Sequence, residues 1–188
     1  MASLVGLIRA GTLDAELGAL IWLLAEAGVP VHVAAGQPTA AAQLAEAIRP
    51  LARDSSNVSA GSGQALEDVL RQPVPFRPAS GAVLVMVDGR IVAAHLQRPP
   101  LRDAGGHIRP QGPAVLATWD AEERAWEHFA WGITPELADA IGRKAGDFEI
   151  EQARRRDYLD ALAAAESDDG ADAERALRGY GLAGGRPA

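Results

Sequence analysis

The first strong periodicity lies between residues 12 and 27. Leu13, Leu17, Leu20, Ile21 and Leu24 recur at helical spacing, and Trp22 and Leu23 widen the apolar face. Thr12 can cap this helix, Asp14 suits the positive end of its dipole, and Gly28 with Pro30 stops it. Residues 29–35 then alternate Val31 and Val33 around His32, a strand pattern. Gly36, Gln37 and Pro38 break the strand. Thr39 can cap a second helix over 40–48, closed by Pro50. Residues 54–63 are small and polar and read as a loop. A short helix is expected at 64–72 and a Pro-rich linker at 73–80.

The pattern changes after residue 80. GAVLVMV and RIVAAHLQ flank Asp88-Gly89, the strongest short-range hairpin signal in the chain. Residues 99–112 read as an irregular loop. A second strand pair follows, AVLATWD and RAWEHFAW, joined by a DAEE turn. Thr134 can cap a helix reaching about residue 142. A longer, charge-rich helix is expected over 147–167, with Phe148, Ile150, Leu159 and Leu162 as its apolar members. An acidic linker at 168–172, a short helix at 173–180 and a frayed tail at 181–188 complete the reading. The fold class expected is α/β or α+β: a reduced strand-loop-helix core, then antiparallel hairpins and a helical C-terminal tail. Residues 1–146 form one domain, with a 1–72 half and an 81–132 β-meander half, and 147–188 form a helical extension.

Composition narrows the function. The 188 residues carry a net charge of −7, which argues against a nucleic-acid binder, since such proteins present a basic face. No cysteine is present, so disulfides, thiolate metal sites and a Cys nucleophile are excluded. The apolar run 17–24 is too short to span a bilayer, and residues 1–11 lack the pattern of a secretory signal. A cytoplasmic protein without membrane insertion is the expectation.

Three stretches together carry a resemblance. LIRAGTLDAELGALIWLLAEAGVPVHVAAG, SAGSGQALEDVLRQ and VLVMVDGRIVAAH resemble, in that order, segments of the type II/type IV secretion and pilus-assembly ATPases, a P-loop superfamily. The first corresponds to the stretch leading into the Walker A sequence GGTGSGKTTLL. That register places the vestigial phosphate loop at Gly36, Gln37, Pro38 and Thr39. The lysine position falls on Ala40 or Ala41, and no Ser or Thr follows it. The lysine contacts the β- and γ-phosphates and the hydroxyl holds Mg²⁺. The family's stretch between the Walker A loop and the later His-containing segment is missing, and that His position falls near Ser59. The resemblance therefore implies a catalytically degenerate, shortened relative with no catalytic residues, no metal and no required cofactor. For ATP and Mg²⁺ as a residual ligand, an Arg would stand in for the lysine at the phosphates without restoring the magnesium ligand. It further implies a protein partner or a homo-oligomer, with an inner-membrane secretion apparatus as one setting. A residual ATP-binding enzyme and a small accessory protein-binding domain are the two alternatives.

Other chemistry has a plainer explanation in each case. An anion can sit on the helix start at Gly36–Thr39, but a simple strand-turn-helix explains the same residues. AVLVMVD followed by Gly fits a hairpin better than a Walker B strand. His32, His95, His107 and His128 form no metal-binding pair. Gly61-Ser62-Gly63 fails the nucleophile-elbow pattern, because Ala60 and Gln64 stand at its outer glycines. Trp119, Trp126, Trp131 and Phe129 form either the core of the meander or a partner-binding patch. Arg154, Arg155 and Arg156 read as a solvated helix face paired with nearby carboxylates, or as a phosphate contact.

Overall fold

A computed structural model describes residues 3–63, 81–165, 175–177, 179 and 180. The helix expected at 64–72, the linker at 73–80, the acidic stretch at 168–172 and the tail at 181–188 lie outside the described residues.

The chain opens with a helix that the apolar periodicity did not reveal, α1 (Leu4–Arg9), capped by the Ser3 side chain. Helix α2 (Ala15–Ala27) follows. Its N-cap is Asp14 rather than Thr12, because the Asp14 carboxylate accepts the Leu17 N–H. Gly28 ends α2 in the left-handed region, as its position predicts. Ten of the thirteen residues of α2 are buried, so this helix is enclosed between sheet and helices rather than lying on a surface. Strand β1 (Val31–Ala35) leads into α3 (Pro38–Ile48), and strand β2 (Val58–Ser62) runs parallel to β1.

Strands β3 (Gly81–Val87) and β4 (Arg90–Gln97) form the expected hairpin. Asp88 and Gly89 both have positive φ, 48° and 79°, the pattern a type I′ turn requires. A short ribbon follows, β5 (Leu101–Arg102) with β6 (Ile108–Arg109), where an irregular loop was expected. Strands β7 (Ala114–Asp120) and β8 (Ala125–His128) form the second hairpin. The last strand is shorter than its sequence suggests, because Ala130–Ile133 winds into a 3₁₀ turn that leads into α4 (Thr134–Ala140). The long helix α5 (Ala145–Ala164) completes the described core. Residues 175–177, 179 and 180 are also helical.

The six-stranded sheet has the order β2-β1-β3-β4-β7-β8. Strand β3 is its seam: it pairs parallel with β1 on one side and antiparallel with β4 on the other. The fold is therefore mixed α/β, with a parallel half and an antiparallel half in one sheet. Bulges at Val92 in β4 and Leu116 in β7 shift the register in the antiparallel half. Every residue of β1 is buried, as expected for a central strand covered on both faces. Val31, Val33, Leu84, Ile91 and Leu96 face the main core with α1, α2, α3 and α5, while Ala34, Val83 and Val85 form a smaller cluster.

Helix α5 is fastened to the body by buried and charged contacts alike. Phe148 and Leu159 are buried in the main core, and Gly18 on α2 lets the Leu159 side chain approach closely. Arg155 is only 3% exposed. It pairs with Glu26 on α2 and Glu151 on its own helix, and its guanidinium carbon lies 4.4 Å from the centre of the Trp22 ring. The solvated-face reading of residues 154–156 thus fails at Arg155, though Arg156 does pair with Asp157 beside it. Ile150, expected among the apolar members, is 54% exposed. No helix among the described residues is long and apolar enough to cross a membrane.

Candidate functional site

The parallel half ends in a cleft of about 370 Å³ lined by Ala35, Gly36, Gln37, Ala40, Met86, Val87, Asp88 and Gly89. It lies outside the carboxyl ends of β1 and β3, where open α/β sheets generally bind ligands. Gly36 and Gln37 contribute to its wall; Pro38 and Thr39 are exposed but are not among its lining residues. The strand-helix junction is only two residues long. Strand β1 ends at Ala35, Gln37 is the N-cap in an extended conformation, and Pro38 opens α3. Thr39 is already helical and does not cap the helix, and Gln37 makes no side-chain cap either.

This geometry is poor for polyphosphate. A phosphate cradle needs successive backbone N–H groups curled into a nest of alternating right- and left-handed residues. Here Gly36 is not among the positive-φ residues and Gln37 is extended. Pro38 brings no N–H, and the Ala40 N–H bonds to the Gln37 carbonyl. Asp88 stands on the opposite wall with its side chain exposed, adding negative charge where a triphosphate would lie.

A second concavity lies in the other half. A groove of about 170 Å³ runs between the 3₁₀ turn, the start of α4 and one face of α5, lined by Glu16, Ala130, Trp131, Thr134, Glu149, Gln152, Ala153 and Arg156. Trp131 is 77% exposed, yet it is held in place: its indole N–H donates to the His128 carbonyl at 3.0 Å. The Thr134 hydroxyl donates to the Trp131 carbonyl at 3.2 Å and fixes the backbone of the turn. Phe129 beside it is 39% exposed. Below the groove, His128 Nε2 lies 2.7 Å from Asp14 Oδ2, so the strand that supplies the turn is bound to the N-cap of α2. Burial works to lower the His128 pKa, but the hydrogen bond and charge of Asp14, with the charge of Glu16, outweigh it and raise it.

Trp119, Trp126, His32 and His107 each have a partner within the fold. Trp119 and Trp126 face each other across β7 and β8 with ring centres 4.5 Å apart, and Arg90 stacks on Trp119. The Trp126 indole N–H donates to the Ile91 carbonyl. His32 is buried in β1 with Nδ1 2.9 Å from the Ser59 hydroxyl, and burial lowers its pKa. His107 sits on the exposed ribbon against Asp103. Among the described residues no three His, Cys, Asp or Glu side chains cluster as a metal site would require.

Alternation along β8 separates Trp126 and His128 from Glu127. What it could not show is that Trp131 leaves the strand altogether. That follows from the 3₁₀ turn, whose only sequence signal is Gly132 followed by Thr134-Pro135.

No protein-family model matches the chain, and no curated protein matches it significantly.

Proposed function

We propose that this protein is a binding or assembly module that does not hydrolyse ATP and that works through the surface around Trp131. The observation that carries this reading is an exposed indole fixed by its own hydrogen bond at the mouth of a groove. An immobilised aromatic gives large contact area at little entropic cost, which is why Trp is enriched at binding hot spots. The two-residue junction at Gly36 and Gln37, with no lysine or hydroxyl in place, supports the absence of hydrolysis. Kinship with the secretion and pilus-assembly ATPases stays part of the proposal. It rests on the three sequence stretches and on the parallel β1-α3-β2 unit.

A second reading has one observation in its favour. The cleft at the ends of β1 and β3 is large enough for a small ligand, so residual nucleotide binding at Gly36 and Gln37 is testable. Calorimetric titration with ATP and Mg²⁺, alongside a phosphate-release assay, separates the two. The expected result is no heat of binding and no phosphate released. Micromolar, Mg²⁺-dependent binding would overturn the proposal in favour of a nucleotide site. The binding surface is tested by comparing proteins retained from a bacterial extract by the wild-type chain and by the F129A/W131A variant. Retention that is identical for both removes the Trp131 surface from the proposal.

A further inference from the structure

The connection between β4 and β7 is longer than the sheet requires. These strands are antiparallel neighbours, with Leu96 opposite Ala114, and such neighbours are ordinarily joined by a loop of about two to five residues. Instead, residues 98–113 leave the sheet, fold into the β5-β6 ribbon and return. The ribbon is organised by its own bonds. Asp103 N–H donates to the His107 carbonyl, the Asp103 carboxylate accepts the His107 N–H, and Gln111 reaches back to the Pro99 carbonyl at 2.8 Å.

Its side chains face solvent. Leu101 is 58% exposed and Ile108 62%. Residues opposite one another in an antiparallel pair share a face. Leu101 therefore stands beside Arg109 on one side of the ribbon, and Ile108 beside Arg102 on the other. Each side presents one aliphatic group and one guanidinium. A lone two-stranded ribbon is marginally stable in water, so one carrying exposed aliphatic groups gains by docking. Pro99, Pro100, Pro110 and Pro113 bracket it. They stiffen its base and remove N–H donors, which disfavours strand-to-strand addition and leaves side-chain docking.

We propose that this ribbon is an arm that seats in the Trp131 groove of a second copy of the chain. The inference rests on the reading of Trp131 as a binding surface and names its partner. Charge selects that partner. The arm carries Arg102 and Arg109 against the single Asp103, whose carboxylate lies 3.8 Å from Arg109, while the whole chain has a net charge of −7, so the body it would meet is acidic. Glu16 and Glu149 line the groove together with Trp131, and its one cation, Arg156, is engaged by Asp157. A guanidinium finds carboxylates and an aromatic face there, and Leu101 or Ile108 finds the indole and Ala153.

Position permits a reciprocal arrangement. Arg98 pairs with Glu136 of α4 at 2.8 Å and anchors the base of the arm. The first residue of the same helix, Thr134, lines the groove. Arm and groove thus start from one helix. Two copies related by a twofold axis would each insert an arm into the other, giving a closed, self-complementary contact.

The test is sedimentation equilibrium of the full chain from low to high micromolar concentration, with circular dichroism confirming that each variant is folded. The wild type is expected to dimerise. L101E/I108E and W131A should each raise the dissociation constant about thirtyfold or more. R109E and E149R should each weaken the dimer, and R109E/E149R in one chain should restore it.

A wild type that stays monomeric throughout, a dimer indifferent to these variants, or a double charge reversal without rescue would overturn the arm-groove pairing. So would an arm that binds duplex DNA without self-association. If the chain is monomeric yet F129A/W131A still changes what the protein retains from extract, the pairing falls and the binding surface stands. If W131A changes neither retention nor dimerisation, the surface itself falls.

Discussion

His128 on the last strand of the sheet and Asp14 at the start of α2 are held 2.7 Å apart, nitrogen to oxygen. One carboxylate thereby does two jobs: Oδ1 caps α2 through the Leu17 N–H, and Oδ2 holds the imidazole. The folded His128 pKa is raised above 6.5, so the charged imidazole is the stabilising form. Its contribution is full below the unfolded pKa and is lost as pH rises through the folded value. His32, whose pKa burial lowers, works in the opposite sense: its contribution is present above 6.5 and lost as pH falls. The gap in urea midpoint between wild type and H128Q isolates the first effect. It should be widest below about pH 6.5 and shrink as pH rises above it, with a maximum cost of about 1 kcal/mol for a partly exposed charged hydrogen bond. A gap that does not change with pH would show that Asp14 does not sense the imidazole charge.

Arg155 is the most deeply buried cation described. It satisfies Glu26 and Glu151, and it covers Trp22. R155A should cost about 2–4 kcal/mol, because both the ion pair and the packing of the stem are lost. R155M should cost less, since it keeps the stem over the ring while Glu26, 38% exposed, turns to water. Chemical denaturation of both variants checks the order.

The β3-β4 turn requires left-handed backbone at two consecutive residues. Substituting Gly89 (φ 79°) with Ala should cost about 1 kcal/mol, with no steric clash to add to it because open space surrounds the site. Replacing Asp88 with Gly should be neutral or slightly stabilising in the same assay.

Ala40 lines the β1-β3 cleft, and under the proposed kinship it stands where a P-loop lysine would. A40K should leave the chain folded and still release no phosphate from ATP, because the backbone cradle and the magnesium ligand remain missing. Turnover above the no-enzyme rate would mean that the junction rearranges into a phosphate loop on binding.

The elements legible in the sequence are those specified locally. Asp88-Gly89 between two apolar runs marks β3 and β4 at their observed ends, and AVLATWD coincides with β7. Strand β2 looks like loop in the sequence because its small residues, Val58-Ser59-Ala60-Gly61-Ser62, hold the edge of the sheet through backbone pairing with β1 rather than through an apolar pattern. Helix α1 is too short for its period to register. Thr12 and Asp14 both suit an N-cap, and only the geometry decides for Asp14. At the candidate site, the Trp-rich segment was visible but its division was not. Trp119 and Trp126 are paired across a ladder, whereas Trp131 is carried outward by a turn that packs against β7 and α4. The buried Arg155 was invisible because nothing local distinguishes it from Arg154 and Arg156.

The seam at β3 has a kinetic consequence. Its partner β4 is two residues away along the chain, while its partner β1 is separated from it by α3, β2 and the residues that follow. Closing the first pairing costs little chain entropy and closing the second costs much more. The β3-β4 hairpin is thus the natural template onto which the parallel half zips. Weakening that hairpin should slow refolding, whereas trimming side chains of β2 should chiefly hasten unfolding.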